Sequence, residues 1–159
     1  DLIDNLIADQ RVREAEDYLD AFCRLPAHKP EIALVYRAYI ALAKYDEKTA
    51  DAIMEEGKVR FGANGDFLFE LAQYYARKCA YDQAAEAYEI AYANETHRPR
   101  FCDALEGIAM IREIEGNYRA AAAAWERVLQ NLHEEWGMTD EVAVKEAEKE
   151  RNRLLRKAQ

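Results

Sequence analysis

The feature of this 159-residue sequence that most constrains its fold is an internal spacing that occurs twice. Leu71 and Ala84 lie 13 positions apart, and Ile108 and Ala121 are separated by the same 13 positions. A spacing that recurs in this way indicates structural units that bury their apolar faces against their neighbours along the chain. The sequence therefore predicts an array of repeated units.

Residues of similar type surround both spacings. In chain order they are Leu68, Leu71, Ala72, Tyr75, Ala84, Tyr88 and Ala91 in the first copy, and Leu105, Ile108, Ala109, Arg112, Ala121, Trp125 and Val128 in the second. Small residues such as Ala72 and Ala84 allow two helices to approach closely, and an aromatic side chain such as Tyr88 fills the space around that contact. Each copy is therefore predicted to be two helices joined by a turn.

Proline, glycine and polar residues divide the chain into short predicted helices. Pro26, Pro30 and Pro99 fall in polar stretches, where proline can end one helix or begin the next. Val and Ile are few and scattered, whereas Ala, Glu, Lys, Arg and Leu dominate, so we expect an all-α fold. The predicted helices cover residues 1–8, 10–24, 30–43, 46–60, 66–78, 81–94, 100–114, 117–136 and 139–157.

The pattern resembles the tetratricopeptide repeat family, in which a leucine beside a small residue is followed, in the second helix, by an alanine and an aromatic residue four positions later. Leu71, Ala72, Ala84 and Tyr88 match that motif, and the resemblance covers about residues 1–131. It implies a right-handed α-α superhelix of about four helix-turn-helix repeats. The implied repeats span about 1–29, 30–64, 65–101 and 102–136, the first shortened at its N-terminus, and residues 137–159 form a capping helix.

The same offsets can be extended toward the N-terminus. They align Ala15 and Thr49 with Ala84 and Ala121, at spacings of 34, 35 and 37 positions. Residues 32–43 are so uniformly apolar that the register of the second repeat stays open by one residue. The offsets also add Leu2, Leu6, Leu19 and Phe22 to the first unit and Ile53 to the second.

The C-terminal segment departs from the repeat. Thr139 is predicted to be the N-cap of its helix, with Asp140 and Glu141 at the positive end. A capping helix over the last repeat is favoured over a helix that docks on a partner. Its predicted apolar stripe consists of Val142, Ala143, Ala147, Leu154 and Leu155.

The sequence lacks the motifs of several catalytic and metal sites. It contains no serine, and Gly62 to Gly65 is a Gly-x-x-Gly between helices with no strand before it, which indicates a turn and not a phosphate loop. His133 lacks the second histidine that a helical zinc site requires four positions later. We therefore expect no enzyme activity, no cofactor and no metal. The three cysteines, Cys23, Cys79 and Cys102, are expected to be buried thiols in a reducing compartment.

The formal net charge of -9 opposes binding to nucleic acid. No apolar run approaches the roughly 20 residues that cross a bilayer, so we expect no membrane association and a cytoplasmic location, in a segment of a longer protein.

The resemblance also implies where a partner binds. In this family the first helices of successive repeats line a concave groove that holds a peptide or a helix. The corresponding positions here are Asp66, Phe69, Glu70, Gln73 and Arg77 in the third repeat and Asp103, Glu106, Met110 and Glu113 in the fourth, with Asp1, Asp4, Leu34, Val35 and Ala38 extending the surface. Arg77 is the single cation among seven acids, so we expect a basic or amphipathic protein segment and not an acidic tail.

The function expected from these features is that of a protein-binding scaffold or adaptor. A regulatory or substrate-recruiting arm of a larger enzyme or co-chaperone is the alternative, followed by a helical domain that binds a small molecule. A solvated acidic face without a specific ligand also stays open. The oligomeric state and the identity of the partner are not encoded in any motif.

Overall fold

The structure, a computed structural model, describes residues 2–94 and 99–159, and every regular element in those residues is an α-helix. Consecutive helices pack on one another within each of the two parts of the chain described below. The predicted all-α fold is confirmed. The helices are α1 (Leu2–Ala8), α2 (Val12–Cys23), α3 (Pro30–Ala43), α4 (Glu47–Phe61), α5 (Gly65–Arg77), α6 (Tyr81–Asn94), α7 (Pro99–Ile114), α8 (Tyr118–Glu134) and α9 (Val142–Lys157).

The chain divides into two compact units, and the boundary between Leu71 and Ala72 falls within α5. The first unit is built around α3, which contacts α1, α2 and α4. A helix with neighbours on three sides has few positions left for polar residues, which explains why α3 is almost uniformly apolar. The core between α1, α2 and α3 consists of Ile3, Leu6, Ala15, Leu19, Ala33 and Ile40.

A glycine in the first unit allows α4 to lie close to the side chains of Phe67 and Leu34. Gly57 on α4 lies against the ring of Phe67, and a Cβ at this position would lie 2.4 Å from Phe67 Cζ and 2.9 Å from Leu34 Cδ2. These distances are too short for van der Waals contact, so α4 can occupy its place only without a side chain at position 57.

The predicted register of the second repeat is wrong by one residue. Thr49 is exposed, and its backbone N–H donates to the carboxylate of Asp46, the N-cap of α4, at 3.1 Å. The next residue, Ala50, is fully buried, as is Met54 instead of the predicted Ile53. Because Asp46 caps the helix, the position three residues later faces the cap and cannot face the core. In the first unit Leu2, predicted to be apolar packing, is also exposed, and Ile3 takes its place.

The same turn joins the two helices of each pair after α1, α3, α5 and α7. One residue in each turn has a positive φ, and its neighbour donates a backbone hydrogen bond to the carbonyl five residues earlier, which is the Schellman arrangement. Five residues after each positive-φ residue comes an alanine with no exposed surface. The positive-φ residues are Gln10, Tyr45, Cys79 and Gly116, and the alanines are Ala15, Ala50, Ala84 and Ala121.

The second unit contains the end of α5 and the helices α6 to α9. Ala84, Ala121 and Tyr88 are buried as predicted. Trp125 differs from the expected core residue because it is only half-buried, beside Leu154 of α9. Gly107 on α7 lies against the Tyr88 ring, where an added Cβ would be 2.5 Å from Cζ.

The last helix begins later than predicted. Thr139 is not its N-cap: Glu141 takes that position, and the Glu141 carboxylate accepts the backbone N–H groups of Thr139 and Asp140 at 2.7 and 3.0 Å. The predicted apolar stripe is wrong in part, because Val142, Ala143 and Leu155 are exposed. The residues that α9 buries are Val144, Ala147 and Leu154, and their spacings of three and then seven positions place them on one helical face.

Candidate functional site

Three side chains from three different helices converge at the surface of the first unit. Asp4 lies on α1, Tyr36 on α3 and Glu70 on α5, so each comes from the first helix of its pair. Tyr36 is half-buried, and burial together with the negative charges of Asp4 and Glu70 raises the pKa of its phenol to about 12. The three residues therefore form one acidic surface around an aromatic ring, called here the Tyr36 surface.

Two further predicted groove residues of the first unit lie on α5. The Asp66 carboxylate accepts a hydrogen bond from Lys29 Nζ at 2.8 Å, and its side chain is only 13% exposed. Phe69 is half-buried, one position before Glu70. Lys29 therefore offsets the charge of Asp66.

Three residues expected to extend the groove belong to the core. Leu34, Val35 and Ala38 are 3%, 1% and 0% exposed, because α3 is covered on most of its faces. The exposed side of α3 is instead the one that carries Tyr36 and Arg37. Adjacent residues on a helix point about 100° apart, so a prediction displaced by one residue exchanges buried and exposed positions. The same displacement explains the wrong prediction at Thr49. Asp1, the remaining predicted extension, lies outside the described residues.

The predicted groove residues of the second unit lie on α5 and α7. Gln73 is half-buried and Arg77 is exposed, both on α5. On α7, Asp103, Glu106 and Met110 are exposed, with 47% of Met110 accessible. These three residues place two carboxylates and the apolar side chain of Met110 on the accessible surface of α7.

Glu113, the last predicted groove residue, forms ion pairs with Arg153 and Lys157 of the second unit. Its Oε1 and Oε2 accept hydrogen bonds from Arg153 at 2.6 and 2.7 Å, and Lys157 donates to Oε1 at 2.9 Å. These cations lower the pKa of Glu113 to about 2, Arg153 having the larger effect. Glu113 is therefore part of the contact between α7 and α9.

A cavity of about 400 Å³ lies among α7, α8 and α9. Its apolar wall is formed by Trp125, Val128, Leu132, Ala143 and Ala147. Its polar lining comprises Glu106, Glu146, Glu150, Lys149 and the Cys102 thiol. Glu106 is exposed as a residue, but the partial burial of its carboxyl group at the edge of the cavity raises its pKa, and the charges of Asp103 and Glu146 raise it further. Like charges thus gather at the edge of this cavity.

The cysteines do not match the expectation of three buried thiols. Cys79 is exposed, whereas Cys23 and Cys102 are half-buried. Burial raises the pKa of Cys102 to about 11, with smaller contributions from Glu106 and Asp103. Its thiol is protonated at neutral pH, and a protonated thiol is a poor nucleophile and a poor metal ligand.

The described residues, 2–94 and 99–159, contain no metal-ligating cluster: no three of their His, Cys, Asp or Glu side chains come together in a way that could hold a metal ion. Among these same residues, no helix combines the length and the apolar composition that crossing a bilayer requires. His133 Nδ1 lies 2.6 Å from the carbonyl oxygen of Met138, and His97 lies outside the described residues.

Comparison with protein-family models, curated proteins and solved structures finds no match for this chain. The tetratricopeptide resemblance therefore stays a prediction based on the residues that carry it. The two candidate sites described above, the Tyr36 surface and the cavity beside Trp125, depend on the geometry alone.

Sequence reasoning missed the residues at the centre of both sites. Tyr36 could have been found from the Asp46 cap, because fixing Ala50 as the buried position rotates the predicted face of the preceding helix. Glu146 could not have been found in this way, because the last segment has no counterpart in the repeat.

Proposed function

We propose that this chain is an adaptor that binds a basic, amphipathic segment of a partner protein through the Tyr36 surface. The observation that carries the proposal is that the carboxylates of Asp4 and Glu70, on two other helices, both lie close enough to the half-buried Tyr36 to act on its phenol. Two carboxylates near one aromatic ring favour a cation at that ring, through charge and through the negative face of the π system.

A cationic side chain from a partner lowers the electrostatic free energy of the Tyr36 surface. Asp4 and Glu70 carry like charges close to a half-buried phenol, so a lysine or arginine placed between them reduces repulsion. Tyr36 and Phe69 supply half-buried aromatic surface that an apolar side chain of the partner can cover. Tyrosine is one of the residues enriched among those that contribute most to binding in protein interfaces.

We further propose that the helix pairs are tetratricopeptide-like repeats stacked in a right-handed superhelix, with α9 as the cap. The recurrent turn, with its positive-φ residue five positions before a buried alanine, supports this arrangement. The packing of α9 on α8 supports its role as a cap. A crystal structure in which the pairs close into a bundle would contradict the superhelix.

Selection of short peptides from a random phage-displayed library tests the binding proposal without a known partner. We expect the selected peptides to carry net positive charge with apolar residues at helical spacing. Fluorescence anisotropy then gives their dissociation constants. The double variant Asp4→Lys with Glu70→Lys should weaken binding by about tenfold or more, because both positions then carry a positive charge that repels a basic peptide.

A matched control separates local recognition from attraction to the overall negative charge. Asp17→Lys with Asp20→Lys changes the net charge equally, and both residues are exposed on α2. Such remote surface changes should alter the affinity by less than about threefold at physiological salt. Equal losses in the two double variants, or a library that yields only neutral or acidic peptides, would contradict the proposal.

A further inference from the structure

The cavity among α7, α8 and α9 combines an apolar wall with an acidic edge. Val128, Leu132 and Ala147 in its wall are buried, and Trp125 exposes part of its ring. A cavity volume of about 400 Å³ falls within the range of roughly 300–1,000 Å³ found for ligand pockets. The space is sufficient for a long side chain together with part of its backbone.

The charge at the edge of the cavity is unbalanced. Glu150 is paired with Arg153 at 2.7 Å. Glu106 and Glu146 form no ion pair with any of the described residues, and the charge of Glu146 adds to the partial burial that raises the pKa of Glu106. Among the described residues of the lining, Lys149 is the one cation. A positively charged group would therefore find two carboxylates that none of the described residues compensates.

We propose that this cavity binds a lysine or arginine side chain of a basic protein segment. Its aliphatic stem would pack on Trp125 and Val128, and its cationic head would lie between Glu106 and Glu146. Long cationic side chains bury their methylene groups while the charge remains at the edge, which matches this division of apolar wall and acidic edge. The assignment rests on the proposed function, because it takes the partner to be basic.

Three blocked tripeptides serve as probes: acetyl-Ala-Arg-Ala-amide, acetyl-Ala-Lys-Ala-amide and acetyl-Ala-norleucine-Ala-amide. Norleucine has the stem of lysine without the charge. The chain has two tryptophans, so the indole N–H signals of Trp125 and Trp136 can be followed by NMR, with Trp136 as the internal reference. We expect a saturable shift of the Trp125 signal with the two cationic peptides and none with the norleucine peptide.

Variants locate the binding site. Glu106→Gln with Glu146→Gln should weaken the binding of the cationic peptides by about tenfold, since both compensating charges are lost. Glu134→Gln with Glu135→Gln removes the same charge from exposed positions near the end of α8 and should leave the affinity within about twofold. Equal affinity for the norleucine peptide, or insensitivity to the first double variant, would overturn the assignment.

Two arms distinguish this inference from its alternatives. Spermidine, a free polyamine, tests whether a small cation suffices, and a Trp125 response equal to that of the arginine peptide would overturn the side-chain assignment. Library-selected peptides that depend on Asp4 and Glu70 but not on Glu106 and Glu146 would overturn it while the adaptor proposal stands. Absence of any selected peptide, with the Trp125 response intact, would instead remove the adaptor proposal.

Discussion

Arg153 on α9 forms a two-pronged ion pair with Glu113 on α7, with nitrogen–oxygen distances of 2.6 and 2.7 Å. A planar guanidinium facing both oxygens of a carboxylate is the strongest geometry available to an ion pair of this kind. Lys157 adds a third contact to the same carboxylate. The position that the repeat pattern assigned to partner binding is thus used to hold the last helix in place.

Replacing Glu113 should loosen α9. Glu113→Gln removes the charge that faces both Arg153 and Lys157, while their side chains remain about one third to one half exposed. We expect a loss of about 1 kcal/mol in the free energy of unfolding, the upper end for a partly exposed ion-pair network. Urea unfolding followed by circular dichroism measures it. Glu148→Gln, an exposed change on α9, is the control and should have no effect.

The same ion pair should make stability depend on pH in a defined window. The pKa of Glu113 is lowered from 4.5 in the unfolded chain to about 2 in the folded protein. A lowered folded-state pKa means that the stabilisation is complete above pH 4.5 and is lost as the pH falls toward 2. The stability difference between wild type and Glu113→Gln should therefore shrink across this window. A difference that stays constant would show that the charge of Glu113 contributes nothing.

Gly107 should tolerate no side chain, although it lies inside a helix. Alanine normally stabilises a helix relative to glycine by about 0.5–1 kcal/mol. Here the new Cβ would lie 2.5 Å from Tyr88 Cζ, so we expect Gly107→Ala to destabilise the protein by about 1–3 kcal/mol. Chemical denaturation measures the sign. In a protein that already carries Tyr88→Leu, the loss caused by Gly107→Ala should be smaller, because the leucine side chain leaves room for the new Cβ.

Much of the fold could be predicted from the sequence because two helices can pack closely only where a small residue lies at the point of contact. Ala84 and Ala121 are completely buried, as their spacing predicted, and the turn at Gly116 lies where expected. Tyr45 and Cys79 adopt the same positive φ as Gly116, although nothing in their side chains favours it. The turn is therefore imposed by the packing of the helices on either side.

The face of α3 could not be predicted from the residues of α3 alone, because amphipathic contrast is missing there. Val35 and Tyr36 are adjacent and both apolar in character, yet one is core and the other surface. Contact with α1, α2 and α4 decides between them, and such contacts are not encoded locally. The cavity beside Trp125 could not be predicted either, because Glu146 in its lining comes from a segment outside the repeat.

Tyr45 offers a direct test of the imposed turn. Its side chain is 91% exposed and its φ is 61°, a conformation that costs a residue with a Cβ about 1 kcal/mol more than glycine. Tyr45→Gly should therefore raise the unfolding midpoint in urea by an amount that corresponds to about 0.5–1 kcal/mol. Gly116→Ala should lower it similarly, since φ is 75° and no atom lies near the added Cβ. Tyr45→Ala controls for loss of the ring and should change little.

The convergence of Asp4 and Glu70 on Tyr36 can be measured through the phenol itself. Burial is the main reason that the pKa of Tyr36 reaches about 12, and the two carboxylates contribute the next largest share. Asp4→Asn with Glu70→Gln should lower this pKa, because the phenolate no longer faces two negative charges, but should leave it above the ordinary value of 10, because the ring stays half-buried. NMR titration of tyrosine labelled at Cζ, with the signal assigned by its loss in Tyr36→Phe, gives the value. A pKa unchanged by removal of both charges would mean that the three helices do not bring these side chains together, and the surface proposed for the partner would not exist.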